Sequence, residues 1–274
     1  MLKKILYVSG ALSILGLLGK VYHDTNVVKV TPVTFMTNRL RKDNNISILQ
    51  ISDLHNKTFG NHHQSLIKQI KRVNADIIVI TGDLIDRKTM DFRAVIRFVN
   101  ELKKMNQHIF YVTGNHERDN LYLNKFLLQL ETSGVRILDN KTTYLQHNEE
   151  QIQLMGISGD SLKNGNIKEL LQKVDDRNFT LFLSHVPNAV KYLTGTSIDL
   201  VLSGHTHGGQ IRLPVIGSVM VPDQGLFPYF DKGVYEWEKG KLLYIDSGAG
   251  TTRLPVRFLN QSQISIIHIR GNKS

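Results

Sequence analysis

Five short runs of Ile, Val, Leu and Phe each end in a loop that carries Asp, Asn or His, and this pattern constrains the chain most. Ile46–Ile51 leads into Asp53-Leu54-His55, and Ile77–Thr81 into Gly82-Asp83. Ile109–Thr113 leads into Gly114-Asn115-His116-Glu117, Phe179–Leu183 into Ser184-His185, and Ile198–Leu202 into Gly204-His205-Thr206-His207. Such runs are expected of strands buried on both faces. Ile152–Ile157, Leu242–Asp246 and Ile264–Ile269 read the same way. Between them lie amphipathic stripes: Leu66/Ile67/Ile70/Val73, Phe92/Val95/Ile96/Val99/Leu102, Leu123/Phe126/Leu127/Leu130 and Ile167/Leu170/Leu171/Val174. Strands alternating with helices predict an α/β architecture. Open α/β sheets place ligands at strand carboxyl ends, so five such ends on one edge would gather the polar residues.

The gathered residue types point to metal. Imidazole, carboxylate and one amide oxygen suit borderline divalent ions such as Mn, Fe or Zn. The chain has no Cys, so thiolate sites and disulfides are excluded. A bridging Asp can hold two cations about 3.5–4 Å apart, where they acidify a shared water and polarise phosphoryl oxygens. The glycines before Asp83, Asn115 and His205 are expected to allow tight turns that aim the next side chain inward.

Asp-x-His, Gly-Asp, Gly-Asn-His-Glu, a solitary His and Gly-His-x-His, in this order from about Ile46 to Ile269, resemble the calcineurin-like metallophosphoesterase superfamily. The resemblance implies a sandwich of two mixed β-sheets flanked by helices. It implies that Asp53, His55 and His207 bind a first metal, that Asp83 bridges, and that Asn115, His185 and His205 bind a second. His116 would assist phosphoryl binding and leaving-group departure, and a hydroxide activated by the two ions would attack phosphorus. Ser203–Gln210, Ser247–Gly250 and Leu254–Phe258 are similar to the bacterial membrane-associated YkuE/YaeI-like subgroup. That likeness implies a phosphodiester, phosphomonoester or pyrophosphate substrate, lipid-linked or nucleotide, such as UDP-2,3-diacylglucosamine. The alternatives are a nuclease or nucleotide phosphodiesterase, and a membrane-bound non-catalytic scaffold.

Lys3 and Lys4 precede an apolar run from Ile5 to Leu18, which Lys20 closes. No small-x-small cleavage signal follows, so residues 1–22 are expected to be an uncleaved membrane anchor. The two lysines favour a cytoplasmic N-terminus and an extracytoplasmic catalytic domain. Residues 23–45 read as a polar, partly extended connector, and 46–270 as the catalytic domain. The net charge of +10 is spread along the chain, densest at Arg39–Lys42 and Lys68–Arg72. No basic block is interleaved with aromatics, so no dedicated nucleic-acid surface is expected.

Two substrate-side features remain. Leu213, Val215, Ile216, Val219, Met220, Leu226, Phe227, Tyr229 and Phe230 follow the last motif. They are expected to form a hairpin packed into the core, with a lipid-facing loop as the alternative. Arg253 and Arg257 are candidates for contacting substrate phosphate or for forming surface ion pairs.

Overall fold

The computed structural model describes residues 1–159, 161–162 and 166–273. The chain opens with helix α1 (Leu2–Asn26) and strands β1 (Lys29–Arg41) and β2 (Asn45–Ile51). There follow α2 (Gln64–Ile70), β3 (Ile77–Ile80), α3 (Arg93–Met105), β4 (Ile109–Tyr111), the single turn α4 (Asn115–Arg118), α5 (Leu123–Thr132) and β5 (Arg136–Ile137). The second half runs β6 (Lys141–His147), β7 (Glu150–Ile157), α6 (Asn166–Leu171), β8 (Phe179–Ser184) and β9 (Leu200–Ser203). Four two-residue strands come next: β10 (Arg212–Leu213), β11 (Gly217–Ser218), β12 (Met220–Val221) and β13 (Gly225–Leu226). The chain closes with β14 (Gly233–Glu238), β15 (Lys241–Ile245) and β16 (Gln263–Lys273).

The strands form two six-stranded mixed sheets, in the orders β1-β16-β2-β3-β4-β5 and β14-β15-β9-β8-β7-β6. Strands β2 to β5 are parallel, as are β7, β8, β9 and β15. This is the sandwich that the motifs imply. Period-2 alternation sends one face of each central strand inward and the other outward. Ile46, Ile48, Ile77, Val79 and Phe110 of the first sheet meet Leu154, Leu181, Leu183, Leu200 and Leu202 of the second between the layers. The opposite face of the first sheet, with Leu49, Ile51, Ile78 and Ile80, is covered by Leu66 of α2, Phe98 and Leu102 of α3 and Phe126 of α5. Met155, Phe182, Val201 and Leu243 of the second sheet pack on Ile167 and Leu170 of α6. Each fully buried side chain of this kind contributes roughly 1.5–3 kcal/mol.

The segment expected as a connector divides in two. Residues 23–26 finish α1, and Lys29–Arg41 is an edge strand in parallel register with the last strand, Lys29 opposite Gln263. Helix α1 is long and apolar enough to cross a membrane, and among the described residues none of its apolar window is buried against the rest of the chain. Arg39 and Arg41 pair with Asp199 and Glu149. Lys68, Lys71, Arg72 and Arg97 line a groove of about 1320 Å³ between α2 and α3, formed by a different set of residues from those of the five motif loops.

Candidate metal centre

The carboxyl ends of β2, β3 and β4 in one sheet and of β8 and β9 in the other deliver the five motif loops to one place. Three overlapping groups of donors result: Asp53/His55/His207, His55/Asp83/His116 and Asp83/His185/His205. The donor atoms within each lie within 4.8 Å of one another. Asn115 Oδ1 stands 3.0 Å from His185 Nε2 and 2.9 Å from His205 Nδ1. All seven residues expected to bind metal are therefore brought together.

Outer partners set the tautomers of these rings. His55 Nδ1 donates to Asp86 Oδ1 at 2.8 Å, His185 Nδ1 to the Thr81 carbonyl at 2.7 Å, and His205 Nε2 to Asp223 Oδ2 at 2.9 Å. An imidazole that donates through one nitrogen presents a lone pair at the other. The free nitrogens converge: His55 Nε2 faces His207 Nε2 at 3.1 Å, and His185 Nε2 faces His205 Nδ1 at 3.1 Å. Two imidazole lone pairs at that distance repel unless a proton or a cation lies between them. Asp83 Oδ2 is 3.2 Å from His185 Nε2 and 3.6 Å from His55 Nε2, so it reaches both pairs. His207 Nε2 is 3.5 Å from Asp53 Oδ1.

The electrostatics point the same way. Burial opposes a charge on His185, but the Asp83 carboxylate outweighs it and pushes the pKa up to about 10. Burial also opposes a charge on His55, yet its Asp86 hydrogen bond, with Asp83 and Asp53, raises its pKa. Asp83 is held well below the usual carboxylate range: burial works against its charge, and His185, His55 and His116 overcome that. Burial, with the neighbouring His55 and Arg257, keeps His207 well below the ordinary histidine value. The pocket attracts positive charge and keeps at least one imidazole free to coordinate. Buried carboxylates, imidazoles and one amide oxygen fit divalent metal ions.

The backbone differs from expectation at the glycines. Gly82 has φ +86°, as a tight turn requires, but Gly114 has an ordinary φ of −85°. What matters at Gly114 is space, since an added Cβ would lie 2.1 Å from Asp83 Oδ1. The side chain of Glu117 braces this crossing, accepting from the N–H groups of Asp83, Ile85 and Gly114. Burial and the nearby Asp83 charge push Glu117 up to about 8.

Residues 46–209 match the family model described as calcineurin-like phosphoesterase. The chain belongs to that family. It is accordingly a hydrolase acting on phosphate esters. The uncharacterized metallophosphoesterase YkuE of Bacillus subtilis is 29% identical over 231 residues, covering 82% of this chain and 79% of the relative. An uncharacterized metallophosphoesterase of Aquifex aeolicus is 30% identical over 272 residues, covering 93% and 97%. A transmembrane protein with metallophosphoesterase domain from Danio rerio is 25% identical over 280 residues, covering 97% of this chain and 62% of the relative. Among solved structures, TT1561 of Thermus thermophilus superposes with a TM-score of 0.50 at 14% identity, over 75% of this chain and 91% of that one. It shares the phosphoesterase fold.

Several residues around the site carry no role that the sequence assigns. Asp86 Oδ1 accepts from both His55 Nδ1 and His116 Nδ1, at 2.8 and 2.9 Å. Its only signal was its position three residues after Asp83. Arg87 Nη1 donates to His116 Nε2 at 2.6 Å, which places the His116 proton on Nδ1. Both expected roles of Arg257 are overturned. It is fully buried and donates to the carbonyls of Ser247 at 2.6 Å and Gly250 at 2.7 and 2.9 Å, with a longer contact to that of His207 at 3.4 Å. Its guanidinium ties the His207 loop to the 247–250 loop. The apolar stretch after Gln210 also departs from the expected core hairpin. Val221 and Phe230 are buried, but Leu213, Val215, Ile216, Met220, Leu226, Phe227 and Tyr229 are exposed. Two-residue ribbons are too short to turn all of these side chains onto one packed face.

Proposed function

We propose that Asp53, His55 and His207 hold one divalent ion, that Asn115, His185 and His205 hold a second, and that Asp83 serves both. The supporting observation is the place of the Asp83 carboxylate, within reach of both converging imidazole pairs. Mn, Fe and Zn all suit this donor set. When bound, such ions acidify a water and neutralise charge on the phosphoryl oxygens. The remaining chemistry belongs to the side chains. Arg87, lying against His116 Nε2, is placed to bind a phosphoryl oxygen. Once Arg87 turns to the phosphate, His116 Nε2 is free to take a proton from water and pass it to the leaving oxygen. Asp86 at Nδ1 stabilises the imidazolium that carries this proton.

The substrate class is a phosphodiester, phosphomonoester or pyrophosphate, lipid-linked or nucleotide. Residues 1–22 anchor the chain in a membrane, and residues 46–270 form the catalytic domain. Lys3 and Lys4 keep the N-terminus cytoplasmic and place that domain outside. Metal analysis of the purified full chain tests the ligand assignment. Two ions per chain are expected, falling to one or none in Asp83→Ala. Undiminished metal content in that variant would refute the role of Asp83.

A further inference from the structure

We infer that the face formed by residues 213–229 is a second membrane contact, which lays the bilayer surface against the metal-site edge of the domain. The docking rests on α1 being a membrane helix. Its consequence for hydrolysis rests also on the phosphoesterase reading.

The first observation is the concentration of exposed apolar surface. Val215 is 107% exposed, Tyr229 79%, Phe227 70%, Leu226 66%, Ile216 57% and Leu213 41%. Beyond α1, exposed large apolar residues elsewhere are more scattered, as at Met90 and Leu128. A contiguous apolar face marks an interaction site, whereas single apolar residues do not. These side chains are held outward by an ordered framework. The Phe227 N–H donates to the Val219 carbonyl at 2.8 Å, and the Gln224 amide bonds the Phe230 backbone in both directions. Phe230 is buried beneath, edge-on to Tyr235 at 5.1 Å.

The second observation identifies the occupant. The Arg212 N–H donates to the Phe258 carbonyl at 3.0 Å, and the Phe258 N–H to the Gln210 carbonyl at 3.1 Å. Next to Phe258, the Arg257 N–H donates to Thr25 Oγ1 in the last turn of α1 at 2.8 Å. The Ser262 N–H donates to the Asp24 carbonyl at 2.7 Å, and Ser262 Oγ to that of Thr25 at 2.9 Å. The root of the apolar helix is thus fixed beside the ribbons, with no slack linker between them. A bilayer crossed by α1 would therefore lie close to this face. Aromatic and branched apolar side chains, with the exposed Arg253 between Thr252 and Leu254, which both bond Gln210, suit the interface of an anionic leaflet.

The third observation connects the face to the chemistry. Asp223, between β12 and β13, places Oδ2 2.9 Å from His205 Nε2. A phosphate ester anchored by its apolar portion in the bilayer would therefore present its phosphate beside the proposed metals, without leaving the membrane surface.

Tryptophan fluorescence in vesicles tests the docking. The native chain has one Trp, Trp237. The full chain is reconstituted into mixed neutral and anionic phospholipid, with brominated or plain acyl chains. In a Trp237→Phe background, emission from Phe227→Trp is expected to fall about twofold or more in the brominated lipid, as for a ring at the acyl boundary. Leu128→Trp, on the exposed side of α5, and the native Trp237 should be unaffected. Tyr229→Trp provides a second probe should Phe227→Trp misfold. Equal emission of both loop probes in the two lipids would overturn the proposal. A blue shift without bromine quenching would also overturn it, because a second protein copy would then cover the face. Turnover of bis-p-nitrophenyl phosphate by the same samples reports on the metal chemistry alone. Quenching without turnover would uphold the docking and count against the phosphoesterase reading only.

Discussion

Asp53, His55, Asp83, His205 and His207 all stand on left-handed backbone, with φ between 49° and 72°. That conformation costs an ordinary L-residue roughly 1–2 kcal/mol, and such strain persists where the surroundings enforce it, commonly at functional sites. Asp, Asn and His tolerate it better than most residues. The same side chains can therefore turn the chain sharply and supply the ligand. This is why the motif residues were legible from type and position, whereas the role of the glycine before Asn115 was not: its requirement comes from a different loop. Gly114→Ala is expected to drive the Asp83 carboxylate aside. The cost should be about 1–3 kcal/mol of stability, with metal-supported turnover reduced on the order of 100-fold. Thermal unfolding and turnover check this together, and near-native values for both would show that the crossing has slack. Asp86, Asp223 and Arg257 illustrate a second limit. Their contacts to the site histidines span 18 to 50 residues of chain, beyond any local pattern.

At the scale of elements, central strands were readable because both faces are buried and their sequences are nearly all apolar. Ile77–Ile80 and Phe179–Ser184 are buried at every position. Edge strands carry no such mark. In Lys29–Arg41 and Lys141–His147, exposed polar residues alternate with partly buried ones, and the pairing that makes them strands comes from distant chain. The seam between α2 and α3 also hides a titratable group. His63 is 1% exposed and stacks on Phe98 at 4.8 Å, with no hydrogen-bond partner for either ring nitrogen among the described residues. Burial, with the nearby His62 and Arg97 charges, pushes its pKa down from 6.5 to about 4. The folded state thus favours the neutral ring, while the unfolded chain takes up a proton near pH 6.5. The resulting stability is complete above pH 6.5 and is lost as the pH falls towards 4. His63→Phe should remove roughly 2 kcal/mol of this acid sensitivity. Denaturant unfolding across that window checks it, and an unchanged slope would mean that His63 already titrates normally.

At the scale of the whole molecule, the site exists because two sheets end at one edge. Neither sheet holds the complete set of proposed ligands: Asp53, His55, Asp83 and Asn115 follow strands of the first, and His185, His205 and His207 follow strands of the second. Gln50 of β2 donates across the layers to the Ser203 carbonyl at the end of β9, tying the two sheets together next to the site. Arg257 links the same region to the root of α1, so the apolar helix, loops and proposed ligands form one continuous framework. The most direct measurement is turnover of bis-p-nitrophenyl phosphate by the full chain, stripped with chelator and then supplied with Mn, Zn or no metal. Turnover on the order of 1000-fold above the metal-free level is expected, abolished by Asp83→Ala and strongly reduced by His116→Ala. Turnover that survives both the chelator and Asp83→Ala would contradict that expectation.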